Sequence, residues 1–348
     1  MRFDHDTLPQ RVRFGTGAAA ENLAAEIDEL GASRLMIIAG ERDDELVRRI
    51  TAELPIALRF SEVVMHVPVE VAQRARAAAS SHSVDALVSV GGGSTTGLAK
   101  AIALSTGLPI IAVPTTYAGS EATNVWGLTE RSEKRTGVDA RVLPRTIVYD
   151  AELTMTLPVE LTVASGLNAL AHCVDAMWGP RADPIDRAYA GEGIRALNLG
   201  LPAVVTNPSN VDGRELALYG AYVSAVSFAS AGSALHHKIC HTLGGMFDLP
   251  HAQTHAVVLP HVLAFNAPNA PDARRRIASA FDADSATDGL RRLREKLGAP
   301  TALRDYGMPA DGIAAAVDAI VAAAPASNPT PVTVDGISAL LHAAWSGK

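Results

Sequence analysis

Only two cysteines, Cys173 and Cys240, occur in 348 residues. That is too few for the disulfide framework of a small secreted domain, and both lie within apolar helical patterns. No basic run offsets a net charge of -7. Nucleic acid is therefore not expected as a main partner, and an anionic small substrate would need a local cluster of cations. The opening Met1-Arg2-Phe3-Asp4-His5-Asp6 has no apolar signal core, and no apolar run approaches membrane-spanning length. Cytoplasm is the expected location, with no membrane partner. Internal repeats are also lacking. What is present is 48% hydrophobic and 19% charged residues, the composition of a soluble globular enzyme with a large core. The length suits two domains of roughly 150–200 residues each.

The two halves follow different patterns. Arg34 to Ala39 reads as a short buried strand, followed by a charged helix from about Asp43 to Leu54. Ala86 to Val90 is a second apolar strand that runs into Gly91-Gly92-Gly93-Ser94, and a helix follows to about Ser105. Leu108 to Val113 and Thr146 to Tyr149 are further strands. Strands alternating with helices predict a mostly parallel sheet covered on both faces. Beyond about Asp150 strand signals stop. Helical patterns run from Leu157-Pro158 to Trp178, from Gly213 to Ala229, from Ser233 to Leu243 and from Ile313 to Ala324. The expected architecture is an α/β nucleotide-binding domain over residues 1–153 and an all-helical domain over 154–348.

Gly91-Gly92-Gly93-Ser94-Thr95-Thr96 joins a strand to a helix. Glycines there let backbone N–H groups approach a pyrophosphate at a helix start. The segment is not a GxGxxG fingerprint, and a tight turn that binds nothing would also use it. A second loop, Pro114-Thr115-Thr116-Tyr117-Ala118-Gly119-Ser120-Glu121, gathers hydroxyls after the next strand. In a parallel sheet both loops emerge at the same carboxyl edge, where dinucleotides bind.

Six of the eleven histidines stand between Leu235 and His261: His236, His237, His241, His251, His255 and His261. His172 joins them from upstream, one helical turn after Asn168, so those two side chains share a face. His237 and His241 repeat that spacing, and His251 and His255 do so after Pro250. Imidazoles on facing helices suit a divalent metal. Yet Asn168, a neutral amide, stands where such a cage would want a carboxylate. His5, His66, His82 and His342 read as hydrogen-bonded interior or surface residues.

Together these features resemble the iron-containing alcohol dehydrogenase superfamily across nearly the whole chain. The matching segments are Phe14-Gly15-Thr16-Gly17, Gly91-Gly92-Gly93-Ser94, Pro114-Thr115-Thr116, Leu157-Pro158, the Asn168/His172 helix, His237 with His241-Thr242-Leu243-Gly244, and Pro250-His251. Within the superfamily the chain is similar to the maleylacetate reductase branch. The pointers are Gly97-Leu98-Ala99-Lys100, Tyr117-Ala118-Gly119-Ser120-Glu121, Arg141-Val142-Leu143-Pro144-Arg145-Thr146, Ser165-Gly166-Leu167-Asn168-Ala169 and His236-His237-Lys238 with Cys240-His241. The resemblance implies a cleft between the domains that holds nicotinamide and substrate. It implies reduction of the maleylacetate carbon–carbon double bond to 3-oxoadipate with NADH or NADPH, during aromatic compound degradation, by a homodimer.

The resemblance also sets out expected roles. Gly40, Glu41, Gly92, Gly93, Ser94, Thr115, Thr116 and Ser120 are expected at the cofactor. Metal-binding relatives carry Asp at the positions of Asn168 and Gly97, with histidines matching His172, His237 and His251. Zinc or iron would take those three if a metal bound, but the loss of the carboxylate favours a metal-free site. There His172, His237 and His251 are expected to bind and polarise a small dicarboxylate, with Asn168 orienting them. His241 is the expected proton donor and Tyr117 a second, while Lys238 can also polarise or attract the substrate. Many relatives carry an Asp at Gly40 to read the adenosine ribose, so its absence predicts weak discrimination between NADH and NADPH. The alternatives are a metal-dependent alcohol dehydrogenase or aldehyde reductase, a dehydroquinate-synthase-like lyase using Arg274-Arg275-Arg276 for phosphate, and a non-enzymatic nucleotide sensor.

Overall fold

The computed structural model describes residues 2–130 and 133–348. The chain forms two units, one spanning Leu8–Leu157 and the other Pro158–Lys348 together with the residues up to Thr7. The division thus falls at Leu157–Pro158 rather than after residue 153, and the first residues go with the later unit.

In the earlier unit the strands are β1 Arg11–Phe14, β2 Leu35–Ile38, β3 Ile56–Phe60, β4 Ala86–Gly91, β5 Ile110–Pro114, β6 Val125–Glu130, β7 Glu133–Val138 and β8 Thr146–Tyr149. Its helices are α1 Ala19–Leu30, α2 Asp44–Ile50, α3 Val69–Ser81 and α4 Gly93–Thr106. Six strands make a parallel sheet in the order β1-β8-β5-β4-β2-β3, and β6 and β7 form a separate antiparallel pair. Successive side chains of a strand point to opposite faces. Accordingly Leu35, Ile37 and Ala39 pack with Leu23, Ile27 and Val47, whereas Met36 and Ile38 pack with Ala72, Leu98 and Ile102. Burial on both faces is why the inner strands read as unbroken apolar runs.

The four strands expected from sequence are β2, β4, β5 and β8, every one wholly buried. β1 and β3, which had no apolar run to announce them, are the sheet's two edges and are half-exposed. The charged helix expected from Asp43 to Leu54 is a 3₁₀ turn, Glu41–Asp43, leading into the shorter α2.

In the later unit the helices are α5 Val159–Ala176, α6 Pro184–Thr206, α7 Val211–Ala231, α8 Leu235–Phe247, α9 His251–Asn266, α10 Pro271–Ala280, α11 Ala286–Leu297, α12 Ile313–Ala323 and α13 Val334–Ser346. The all-helical expectation holds for the described residues. Every residue of α5 from Thr162 to Ala176 is buried, so its polar side chains must find partners inside the protein. Among the described residues no helix is long and apolar enough to cross a membrane. The Arg274-Arg275-Arg276 run lies on the surface of α10, where Arg275 and Arg276 pair with Asp272. That is a solvated helix face rather than a phosphate cluster.

Candidate active site

The order in which strands are added reverses between β2 and β4, since β2 continues to β3 on one side and β4 to β5 on the other. Nucleotides bind in α/β sheets at such a switch point, beyond the carboxyl ends of the strands. The loops after β2, β4 and β5 carry the expected cofactor residues. Gly91 has φ +143°, and a Cβ there would lie 2.5 Å from Thr95 Oγ1, so the turn requires glycine. A Cβ on Gly92 would meet Thr116 Cγ2 at 3.0 Å, and one on Gly93 would lie 3.5 Å from Ala118 Cβ. The backbone N–H of Thr115 donates to Gly91 O at 3.1 Å. The two loops therefore form one continuous cradle, with Gly92, Gly93, Ser94, Thr115, Thr116 and Ser120 all partly exposed. This shape fits a dinucleotide: the bare backbone at the start of α4 is open where a side chain would fill it.

Two side chains outside the expected set shape this cradle. Lys100, buried in α4, donates to Ser120 O at 2.6 Å, Thr123 O at 2.8 Å, Thr123 Oγ1 at 3.0 Å and Val125 O at 2.8 Å. It ties down the far end of the second loop, and burial pushes its ammonium down to about 7. Asp43 places Oδ2 3.5 Å from where a Gly91 Cβ would stand and 4.0 Å from that of Gly40. Asp43 thus brings a carboxylate to the corner beside Gly40, and burial raises its pKa. Glu41, expected at the cofactor, is exposed. Tyr117 is fully buried, and its hydroxyl donates to Thr154 Oγ1 at 3.5 Å.

In the helical unit α5, α8 and α9 bring the imidazoles together. His172 and His237 stack with ring centroids 4.9 Å apart and planes 11° from parallel. Phe228, from α7, packs on both, at 4.8 Å from His172 and 4.2 Å from His237. His241 lies 5.9 Å from His237 and 6.1 Å from His251, and His255 lies 4.4 Å from His251. Behind them the buried His236 and His255 share a hydrogen bond, Nε2 to Nδ1, of 2.9 Å. Asn168 is buried one turn before His172, as its spacing predicts. Lys238 and His241 are partly exposed on α8. His261 stands farther along α9 near Arg294.

Sequence reading missed the carboxylate of this site. Asp175 is one turn beyond His172 on α5, fully buried, with Oδ2 2.7 Å from His237 Nδ1. Its signal was the stripe Asn168, His172, Asp175 at i, i+4 and i+7. Burial pushes Asp175 up to about 7, against the pull of the N–H donors around it. The same burial lowers His172 to about 4 and His236 to about 3, and takes His237 and His255 well below their usual range. At neutral pH these rings are neutral hydrogen-bonding groups.

The arrangement does not fit a tightly held divalent ion. Among the described residues, the groups of three imidazole, thiol or carboxylate atoms that come within 4.8 Å of one another are His236/Cys240/His255 and His5/Asp183/Asp186. His172, His237 and His251 are not such a group, and Asn168 adds no charge.

Comparison with known proteins agrees with this fold. Residues 9–151 match the model for iron-containing alcohol dehydrogenase, and residues 162–345 match that for the C-terminal part of the Fe-containing alcohol dehydrogenase family. The chain is 46% identical to a maleylacetate reductase of Burkholderia cepacia over 97% of this chain and 96% of that protein. Among solved structures, an iron-containing alcohol dehydrogenase from Corynebacterium glutamicum is 61% identical, with a TM-score of 0.98 over 100% of this chain and 98% of that one. Maleylacetate reductase from Rhizobium sp. strain MTP-10005 is 42% identical, with a TM-score of 0.93 over 100% and 99%. The chain belongs to the iron-containing alcohol dehydrogenase family, in its maleylacetate reductase branch.

Proposed function

We infer that this protein reduces the carbon–carbon double bond of maleylacetate to 3-oxoadipate with a nicotinamide cofactor, at a site that works without a metal. The observation that carries the reading is the imidazole cluster on α5, α8 and α9 with Asn168 at the position of the family's metal carboxylate. The curated relatives over the full chain give the substrate.

The cofactor, when bound, supplies a hydride to one alkene carbon. The protein's residues have the remaining tasks: holding two carboxylates, polarising the conjugated carbonyl as enolate character develops, and delivering a proton to the neighbouring carbon. His172, His237 and His251 bind and polarise the substrate, with Asn168 orienting it. A dianionic substrate brings the counter-charge that burial withholds from these rings, so they gain protons as it binds. Lys238, on the same helix, adds attraction for a carboxylate. His241, partly exposed and beside His237 and His251, is the proton donor. Tyr117, with its hydroxyl on Thr154, supports the cofactor loop instead of serving as a second donor. A cytoplasmic homodimer acting in aromatic compound degradation is the setting this reading proposes.

The test follows NADH oxidation with maleylacetate and with a simple aldehyde, each with and without chelator, alongside metal analysis of the purified protein. Turnover of maleylacetate that survives chelation, in protein carrying far less than one metal per chain, is the expected result. Aldehyde turnover restored by zinc or ferrous iron, with maleylacetate inert, would replace this reading with a metal-dependent alcohol dehydrogenase.

A further inference from the structure

Resting on the proposed reaction, we infer that Asp175 is a positioning residue that acts through His237, fixing which ring nitrogen meets the substrate. His237 Nδ1 lies 2.7 Å from Asp175 Oδ2, and both side chains are buried. The backbone N–H groups that point at both of its oxygens make Asp175 the acceptor, so Nδ1 carries the ring proton and Nε2 is the nitrogen left to take up a second proton and donate to a ligand. Nε2 is buried and has no hydrogen-bond partner among the described residues. Such an atom costs about 1–3 kcal/mol when left unmet, a cost that a ligand there relieves. The stacked His172 and the packed Phe228 stop the ring from turning away.

Asp175 also holds the helix that carries the ring. Ala234, the residue that opens α8, has no side-chain acceptor to cap the helix. Asp175 takes its place from α5, accepting the backbone N–H groups of Ala234 at 3.2 Å, His236 at 3.3 Å and His237 at 3.2 Å. A helix start leaves such donors without internal partners, and an anion there is favourable. One carboxylate therefore clamps the first turn of α8 and the imidazole on that turn as a unit. This is the arrangement by which a carboxylate sets tautomer and orientation in histidine-based sites.

A pure helix cap and a positioning residue differ in their coupling to His237. The test is a double-mutant cycle of Asp175→Asn, His237→Ala and both, read as kcat and KM for maleylacetate together with thermal unfolding. Asp175→Asn keeps an oxygen for the cap but presents an amide donor to Nδ1. It should lower kcat at least about tenfold, and lower it no further when His237 is already Ala. Losses that multiply in the double variant, or an Asp175→Asn protein with wild-type turnover, overturn the role. Should Asp175→Asn fail to fold, ¹⁵N spectra of histidine-labelled wild-type protein, with His237→Gln to assign the ring, decide instead. A proton on Nδ1 of His237 supports the proposal, and a proton on Nε2 alone overturns it. Wild-type protein inactive on maleylacetate would overturn the functional reading whatever the tautomer. Active wild-type protein with the wrong tautomer would overturn the role of Asp175 alone.

Discussion

Gly40 follows β2 without the carboxylate that reads a ribose, yet Asp43 brings one to the same corner from the following 3₁₀ turn. A carboxylate near the adenosine ribose accepts its 2′-hydroxyl and repels a 2′-phosphate. Asp43 is only partly buried, so solvent screens it and its repulsion is modest. NADH should therefore be favoured over NADPH by less than about a hundredfold. Asp43→Asn should move the ratio of kcat/KM values toward NADPH, with a parallel change in the dissociation constants from fluorescence titration. An unmoved ratio would remove Asp43 from cofactor selection. The pattern that exposed Asn168 and His172 would have exposed Asp175 by one more step along the same helix. Phe228 was beyond reach, because it arrives from α7 and helical spacing says nothing about which helix will be a neighbour. Gly97 shows the same limit: a Cβ there would stand 2.9 Å from Val67 Cγ2, a contact made across more than one element.

Strands that cross the interior of the sheet were readable because both faces are covered, whereas β1 and β3 carry charges on exposed edges and offer no unbroken apolar run. The helix α6 went unread, although Asp183 and Asp186 form a capping box with Pro184 at its first position. Pro202 lies inside it, where proline removes a helical hydrogen bond, and tertiary packing keeps the helix continuous. α9 likewise continues through Pro260. Proline has no N–H for the carbonyl four residues back, so Ala256 O lacks its helical donor. Arg294, from α11, donates to Ala256 O and, at 2.6 Å, to Pro300 O. Replacing Arg294 by Met leaves both carbonyls unmet and should destabilise the protein by about 1–3 kcal/mol. Pro260→Ala returns an N–H to the ladder, so Arg294→Met should cost less in that background. Equal losses in the two backgrounds, measured by denaturant unfolding, would show that the guanidinium does not replace the missing donor.

The change from alternating to purely helical patterns located the two units, because a parallel sheet covered on both faces and a helical bundle use different hydrophobic periods. The same patterns could not show that the start of the chain belongs with the later unit. That assignment rests on contacts between residues far apart in sequence, with His5 Nδ1 2.7 Å from Asp183 Oδ2 and 3.7 Å from Asp186 Oδ1. Asp183 is already the cap of α6, accepting the N–H groups of Ile185 at 2.7 Å and Asp186 at 2.9 Å, so His5 closes a site that also sets a helix start. His5→Ala leaves two nearby carboxylates facing each other without an imidazole, a loss of about 1–3 kcal/mol. The loss belongs to the helical unit, whereas NADH, bound by loops of the sheet unit, stabilises that unit by mass action. Calorimetry with and without NADH separates the two. His5→Ala should lower the transition that NADH does not raise and leave the cofactor's dissociation constant unchanged. If the substitution instead weakens NADH binding or leaves unfolding untouched, the N-terminal residues do not serve as a strap of the helical unit.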